Sequence, residues 1–337
     1  REAKRKISRL VDETKPDIAH IHNLRAHLTT SILAPLERAG IPIVWTLHDY
    51  KLVCPNSNLL SGDEVCERCI PNRFHHMLVR RCKKGSIGAS GIAMLEAFYE
   101  RLTRVASRVD RFIAPSRFLE GKMIEGGIDR SRIVWLPNFV DAEEGAAGPE
   151  GDYYLYVGRL SREKGVDLLI RAAARVGNGR LLILGDGPER GALERLAAEL
   201  GAAGIEFLGH RTTEEVGSIL GAARFVVLPS RWYENLPFSI MEAFAAGRPV
   251  VAADIGGIPE MVENGVNGFL FPPGDSEALA GRIAALLDSA DLREEMGRAG
   301  RRKALELYNP EYHYTRIMEI YRELVPGARS IPPPAYR

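Results

Sequence analysis

The sequence predicts an α/β protein with two doubly wound, Rossmann-like domains, and three observations predict it. Short β-rich apolar runs alternate with amphipathic stretches of helical period along the whole chain. Strict alternation of this kind makes parallel strands, because a crossover helix returns the chain to the same end of the sheet. The length of 337 residues is enough for two domains of ordinary size. Finally, glycines, cations and helix starts gather just after the strand-like runs, the edge on which doubly wound sheets bind ligands.

In the first half, "IAHIH" (18–22) and "IPIVWTLHD" (41–49) read as strands, being β-branched and apolar. An irregular, cysteine-containing insert follows over 50–84, then a long helix near 90–109. "RFIAPS" (111–116) and "IVWLPN" (133–138) are further strands. About four strands are fewer than the five or six usual for such a domain. The first domain is therefore expected to be truncated, or to present an edge that a partner covers. The chain opens at Arg1 within a helical pattern, so a natural N-terminus is expected upstream. "AEEGAAGPEGD" (142–152) has the glycine and acid content of a linker.

The second half is more regular. "YYLYVG" (153–158), "RLLILG" (180–185), "IEFLG" (205–209), "FVVLPS" (225–230) and "PVVAAD" (249–254) are strands separated by amphipathic helices. The expected organisation is a first domain over 1–141, a linker over 142–152, a second domain over 153–310, and a final helix with tail over 311–337.

Composition excludes several classes. Lys+Arg total 45 and Asp+Glu 44, a net charge of +1, which gives no global case for nucleic acid as a partner. No apolar run is long enough to span a bilayer, and no signal peptide is visible. Four cysteines without a secretory signal point to a reducing compartment, and so to the cytoplasm.

The strand ends of the second half carry the chemistry. "GRLSREKG" (158–165) holds Arg159 and Lys164; "GDGPERG" (185–191) is a glycine-rich turn opening a helix; "PSRWYENLPF" (229–238) ends at a helix start; "IGGIPE" (255–260) supplies two more glycines. Backbone N–H groups, helix N-termini and two cations on one edge suit a diphosphate. Pro237 fits the first helical turn and Gly247 the helix end. That places Glu234 in the loop before the helix and Glu242 about five residues inside it, on either side of the N–H groups of residues 236–238. Carboxylates accept well from paired sugar hydroxyls, so each glutamate suits one polyol flanking the diphosphate.

These segments, with "FLGH" (207–210) and "GGIPEMV…NGFLF", resemble the retaining glycosyltransferases of the family-4 type, which have the GT-B fold of two Rossmann-like domains facing a cleft. Glu234 and Glu242 meet that family's E-x7-E motif. The resemblance implies that Glu242 binds the nucleotide ribose and Glu234 the donor sugar, and that Arg159 and Lys164 hold the diphosphate as it leaves. It extends the nucleotide-binding set to Gly158, Gly185, Gly187, His210, Asn235, Leu236, Pro237 and Phe238. It also assigns His48, in "TLHDY", to face the donor sugar, where the plain reading is a structural hydrogen-bond partner. The final helix ("YHYTRIMEIYRELV", 312–325) is expected to pack back on the first domain, as in relatives. The family's own N-terminal β-α units, including a glycine-rich loop near the acceptor, have no counterpart here.

The expected reaction is sugar transfer from a nucleotide-diphosphate donor to a glycan or lipid-linked acceptor, with retention, of the kind used in polysaccharide biosynthesis. The family precedent is front-face attack, in which a leaving phosphate oxygen helps deprotonate the acceptor. No Asp-x-Asp motif stands at a strand end, so no catalytic metal is expected. Nothing spells the base (UDP, GDP or ADP), the sugar, the acceptor or the oligomeric state. The rivals are a nucleotide-sugar epimerase, a non-enzymatic two-lobed sugar-binding protein, and an inactive donor-binding fragment.

Two features of the insert stand apart. Cys54, Cys66, Cys69 and Cys82 include a C-x2-C knuckle with one more cysteine on each side, a set that fits structural zinc; the alternatives are four reduced thiols and, after them, an iron–sulfur cluster and then disulfides. "RFHHMLVRRCKK" (73–84) is basic with interleaved apolar residues. It fits peripheral contact with an anionic membrane or a lipid-diphosphate acceptor as well as a solvated face. Ser116 and Asn138 read as turn and cap residues.

Overall fold

The computed structural model describes residues 2–24, 29–141 and 148–326. The chain divides into two compact units, Arg1–Pro137 with His313–Arg337, and Asn138–Tyr312.

The first unit contains α1 (Glu2–Thr14), β1 (Ala19–His22), α2 (Leu33–Arg38), β2 (Ile43–Thr46), the short strands β3 (Leu60–Ser61) and β4 (Glu64–Val65), α3 (His75–Arg80), α4 (Ile87–Leu102), β5 (Arg111–Ala114), α5 (Arg117–Glu125) and β6 (Ile133–Trp135). Its main sheet has the order β1-β2-β5-β6, parallel throughout. All four residues of β2 are buried, as a central strand covered on both faces requires. The helix expected over 90–109 is shorter. Thr103 Oγ1 bonds back to Tyr99 O at 2.8 Å and Arg104 turns left-handed at φ 50°, so α4 stops and a 3₁₀ turn covers Val105–Arg108. The insert, read as irregular, holds an antiparallel hairpin (β3 with β4) and α3, both too short to leave a periodic signal. Ser116 caps α5, accepting from Leu119 N at 3.1 Å.

The second unit contains β7 (Tyr153–Val157), α6 (Val166–Val176), β8 (Arg180–Leu184), α7 (Arg190–Glu199), β9 (Ile205–Gly209), α8 (Thr213–Ala222), β10 (Val226–Leu228), α9 (Phe238–Ala245), β11 (Val250–Ala253), α10 (Ile258–Met261), β12 (Gly268–Phe271), α11 (Ser276–Asp288) and α12 (Ala290–Leu307). α13 (Pro310–Leu324) crosses the division and counts with the first unit from His313 on. Of the expected linker, residues 142–147 lie outside the described residues. Residues 148–152 are held by the second unit: Gly151 N donates to Ala222 O at 2.8 Å, and Arg248 Nη2 to Gly148 O at 2.6 Å.

The six strands of this unit run in the order β9-β8-β7-β10-β11-β12, all parallel. Alternate strand residues enter opposite cores. Leu155, Leu182, Leu184, Val226 and Val250 pack on one face with Ile240, Met241 and Phe244 of α9. Tyr154, Tyr156, Leu181, Ile183, Val227 and Val251 pack on the other with Leu169 of α6 and Ile283 of α11. Each fully buried side chain of this size supplies about 1.5–3 kcal/mol of transfer free energy, which anchors the strand ends that bear the loops. The chain runs outward from β7 to β9, then returns to β10 beside β7 and runs the other way. The reversal lies between β7 and β10, paired at Leu155 and Val226, and ligands of such sheets bind at the carboxyl ends of the strands at that point.

Candidate functional site

The loops after β7 and β10 meet at the reversal. Gly165 has φ +67°, and a Cβ there would lie 2.1 Å from Pro229 O, so only glycine lets the two backbones touch. Arg231 N donates to Glu163 O at 2.8 Å, and Arg231 Nη2 reaches Asp167 at 2.7 Å. The loop after β8 is tied to that after β7 in the same way. Leu160 N donates to Asp186 O at 2.9 Å. Gly185, at φ +127°, leaves no room for a side chain, since a Cβ there would fall 1.9 Å from Gly158 O. Both glycines of "GDG" therefore bring loops together: a Cβ on Gly187 would lie 2.3 Å from Leu160 O, and α7 opens three residues later at Arg190. From the far side, Gly257 N donates to Glu234 O at 2.8 Å.

Lys164 and Glu234, 70 positions apart, pair across this seam at Nζ–Oε1 2.7 Å. Ser230 Oγ donates to the same oxygen at 2.7 Å. Glu234 is 6% exposed and Ser230 fully buried. Lys164 also lies over the Trp232 ring, 5.2 Å from its centroid. A cation and an anion are thus stored together in a low-dielectric pocket, where each holds the other in place.

Around this pair, Pro237 is the N-cap of α9, whose first N–H groups lack intrahelical acceptors. Glu242 is the fifth residue of α9 and is half-buried, and burial pushes its carboxyl above the usual range. Leu236 is buried, Asn235 half-buried and Phe238 exposed. Arg159 is exposed, with its carbonyl held by Tyr156 OH at 2.9 Å. His210 is exposed at the end of β9, two residues before the capping box of α8.

His48 belongs to the first unit, beyond the end of β2. Its Nε2 lies 2.9 Å from His22 Nδ1. His20, two residues back on the same face of β1, bonds Thr46 Oγ1 at 2.7 Å and Tyr321 OH at 2.6 Å. Partial burial lowers the pKa of all three, and His20 falls to about 4 as neighbouring imidazoles add to the effect. Sequence reasoning singled out His48 alone. The alternation "HIH" on a strand was the signal that His20 and His22 share its side of the sheet. Ser230 was also missed, because a serine after proline reads as a turn residue.

The zinc expectation is corrected. Among the described residues no group of three or more His, Cys, Asp or Glu side chains is placed to hold a metal ion. All four cysteines are free. Cys69 packs in an apolar cluster with Phe74, Met77, Ala93 and Ala97, and Cys82 Sγ contacts Ser61 Oγ at 3.6 Å. Burial raises the Cys54 thiol and pushes Cys69 up to about 12. Burial thus favours the protonated thiol at Cys54 and Cys69.

Comparison with known proteins matches both halves. Residues 2–144 match the family model described as Glycosyltransferase Family 4, and residues 141–303 that described as Glycosyl transferases group 1. An alpha-D-kanosaminyltransferase of Streptomyces kanamyceticus is 36% identical over 178 residues, which are 50% of this chain and 45% of that protein. A D-inositol 3-phosphate glycosyltransferase of Salinispora arenicola is 28% identical over 314 residues, 86% of this chain and 65% of that protein. The chain spans about half the length of the curated relatives it matches. The crystal structure of Anabaena HepE in complex with UDP aligns with TM-score 0.73 at 22% identity, covering 95% of this chain and 82% of that one.

Proposed function

The chain belongs to the group 1, family-4 glycosyltransferases of GT-B fold, and from that premise we propose that it transfers a sugar from a nucleotide-diphosphate donor to a glycan or lipid-linked acceptor with retention of configuration. The observation that supports this most is the Lys164–Glu234 pair at the reversal of a six-stranded sheet.

In this reading the donor lies across the loops after β7, β8 and β10. Lys164 and Arg159 neutralise the diphosphate, the N-terminus of α9 adds its partial positive charge, and Glu242 accepts from the ribose hydroxyls. Lys164 leaves Glu234 for the phosphate when the donor enters, and Glu234 turns its acceptor capacity to the sugar. The bond from the anomeric carbon to the phosphate oxygen breaks, and both electrons leave with the diphosphate. The acceptor hydroxyl forms its bond to the same face of that carbon, and its proton passes to the departing phosphate oxygen. A leaving group already anionic needs cations more than a proton donor, which Lys164 and Arg159 supply.

The test is thermal unfolding against UDP, GDP, ADP and NAD, with UDP first because HepE was crystallised with it. A diphosphate at a hundredfold excess over its dissociation constant adds about 2.7 kcal/mol of stability. The expected result is a raised midpoint with one nucleoside diphosphate, lost in Glu242→Gln and in Lys164→Met. No shift with any diphosphate in a folded protein, or a shift with NAD alone, overturns the reading.

A further inference from the structure

The first unit holds a cavity of about 400 Å³, a volume typical of small-molecule sites, which span roughly 300–1,000 Å³. Its polar lining is Lys51, Glu100, Arg101, Arg104, Ser107 and Gly127. Buried Phe74 and Ala97 form part of its apolar wall. Residues 105–107 lead into β5 and 126–128 into β6, so the cavity borders the amino ends of those strands. Ligands of doubly wound sheets gather at the carboxyl ends. The insert reaches the cavity from the far end of β2: Lys51 Nζ pairs with Glu96 at 2.7 Å, and a Cβ on Gly126 would lie 2.1 Å from Val53 Cγ1. Lys51 and Glu100 also border a recess of about 20 Å³ beside His48, which has room for about one water. None of the lining residues belongs to the donor site proposed above.

Arg101 and Arg104 carry the charge of the cavity. Among the described residues neither guanidinium has an ion pair or a hydrogen bond. A Cβ on Gly127, at φ +88°, would stand 3.5 Å from Arg101 Nη2 and 3.9 Å from Asn72 Nδ2, so two side-chain donors gather at a residue with no side chain of its own. The neighbouring acids are engaged. Glu96 holds Lys51, Glu125 holds Lys122 at 2.9 Å, and Asp129 accepts from Ser131 N and Oγ at 2.9 Å. Glu100 is different. It is half-buried, accepts a long bond of 3.3 Å from Thr30 Oγ1, and burial raises its carboxyl above the usual range. A phosphate monoester carries a charge of about −1.5 to −2 at pH 7, which two unpaired guanidiniums match, and their planar forks suit its oxygens. A carboxylate short of donors accepts from hydroxyls and repels a second anion. We propose that this cavity is a ligand site apart from the donor site and takes a small phosphorylated polyol, with the phosphate on Arg101 and Arg104 and the hydroxyls on Glu100.

The proposal stands independently of the reaction assigned above. It is tested by isothermal titration calorimetry of the full chain with glucose 6-phosphate, ribose 5-phosphate and glycerol 3-phosphate. The controls are glucose, ribose, glycerol and inorganic phosphate at matched ionic strength. The expected result is binding of at least one ester with Kd below about 1 mM, and of none of the parent polyols. Arg101→Gln with Arg104→Gln should weaken that binding by more than about tenfold. Both side chains are exposed, so the unfolding midpoint of this variant should match the parent, which separates a lost site from lost folding. Glu100→Gln should lower the preference for the ester over inorganic phosphate by about tenfold. Arg159→Gln, in the donor site of the second unit, should leave the affinity for the ester unchanged. Absence of binding by all three esters overturns the proposal, as does binding that survives the double arginine variant or is lost in Arg159→Gln. An unchanged preference in Glu100→Gln overturns the assignment of the hydroxyls to that carboxylate.

Discussion

Lys164 Nζ and Glu234 Oε1 lie 2.7 Å apart, and Ser230 donates to that same carboxylate oxygen. The pair is buried enough that removing one member strands the other. Lys164→Met should cost about 3 kcal/mol, because Glu234 keeps a charge with one hydroxyl to meet it. Glu234→Gln should cost about 1–2 kcal/mol, since the amide still meets Ser230 and Lys164 retains some solvent. The double variant should be more stable than the sum of these losses predicts, by more than about 0.5 kcal/mol, when measured by denaturant unfolding. Simple additivity would show that the two do not interact in solution.

Two glycines should respond oppositely to alanine. Gly185→Ala places a methyl carbon 1.9 Å from Gly158 O at φ +127° and should destabilise by about 2–4 kcal/mol. Gly217 sits inside α8, exposed, with nothing within 4 Å of a Cβ. Gly217→Ala should stabilise by about 0.5–1 kcal/mol through helix propensity and a stiffer unfolded chain. Urea midpoints of the two variants against the parent decide both.

Acid should loosen the first unit before its carboxylates titrate. His20 has its pKa lowered from 6.5 to about 4, first by burial and then by His22, His313 and His48. Between those values the unfolded chain binds the proton and the folded chain does not. Its contribution is therefore complete above pH 6.5 and is lost as pH falls toward 4, at up to about 1.4 kcal/mol per pH unit. The raised Glu242 carboxyl works in the opposite sense, gaining folded-state protons as pH falls. His20→Gln should flatten unfolding free energy between about pH 6.5 and 4; an unchanged slope would place the titration elsewhere.

Much of this was legible in the chain, for identifiable reasons. The inner strands of the second unit, β7, β8, β10 and β11, are buried on both faces, so they read as continuous apolar runs. The strand order β9-β8-β7-β10-β11-β12 was not legible, because adjacency is not a local property. β12, "GFLF", opens on a glycine, stands between "ENGVN" and "PPGD" and holds no β-branched residue, so it did not register as a strand. Lys164 and Glu234 could be singled out by position and spacing, but their pairing 70 residues apart could not. The cysteines were over-read because C-x2-C reports separation along the chain and says nothing of whether the side chains are placed to share a metal ion, which among the described residues they are not.

His20 and Tyr321 are joined by a hydrogen bond across 301 positions, and His313 Nδ1 lies 2.8 Å from Pro137 O. The first unit is thus closed by a segment made after the whole of the second, while Asn138–Tyr312 is uninterrupted. Domains ordinarily fold in the order of their synthesis. Here the order is inverted: the later unit can finish while the earlier one still waits for its last helix. A chain released short of α13 would carry an intact second unit beside a first in which His20 has lost Tyr321 and Pro137 O has lost His313.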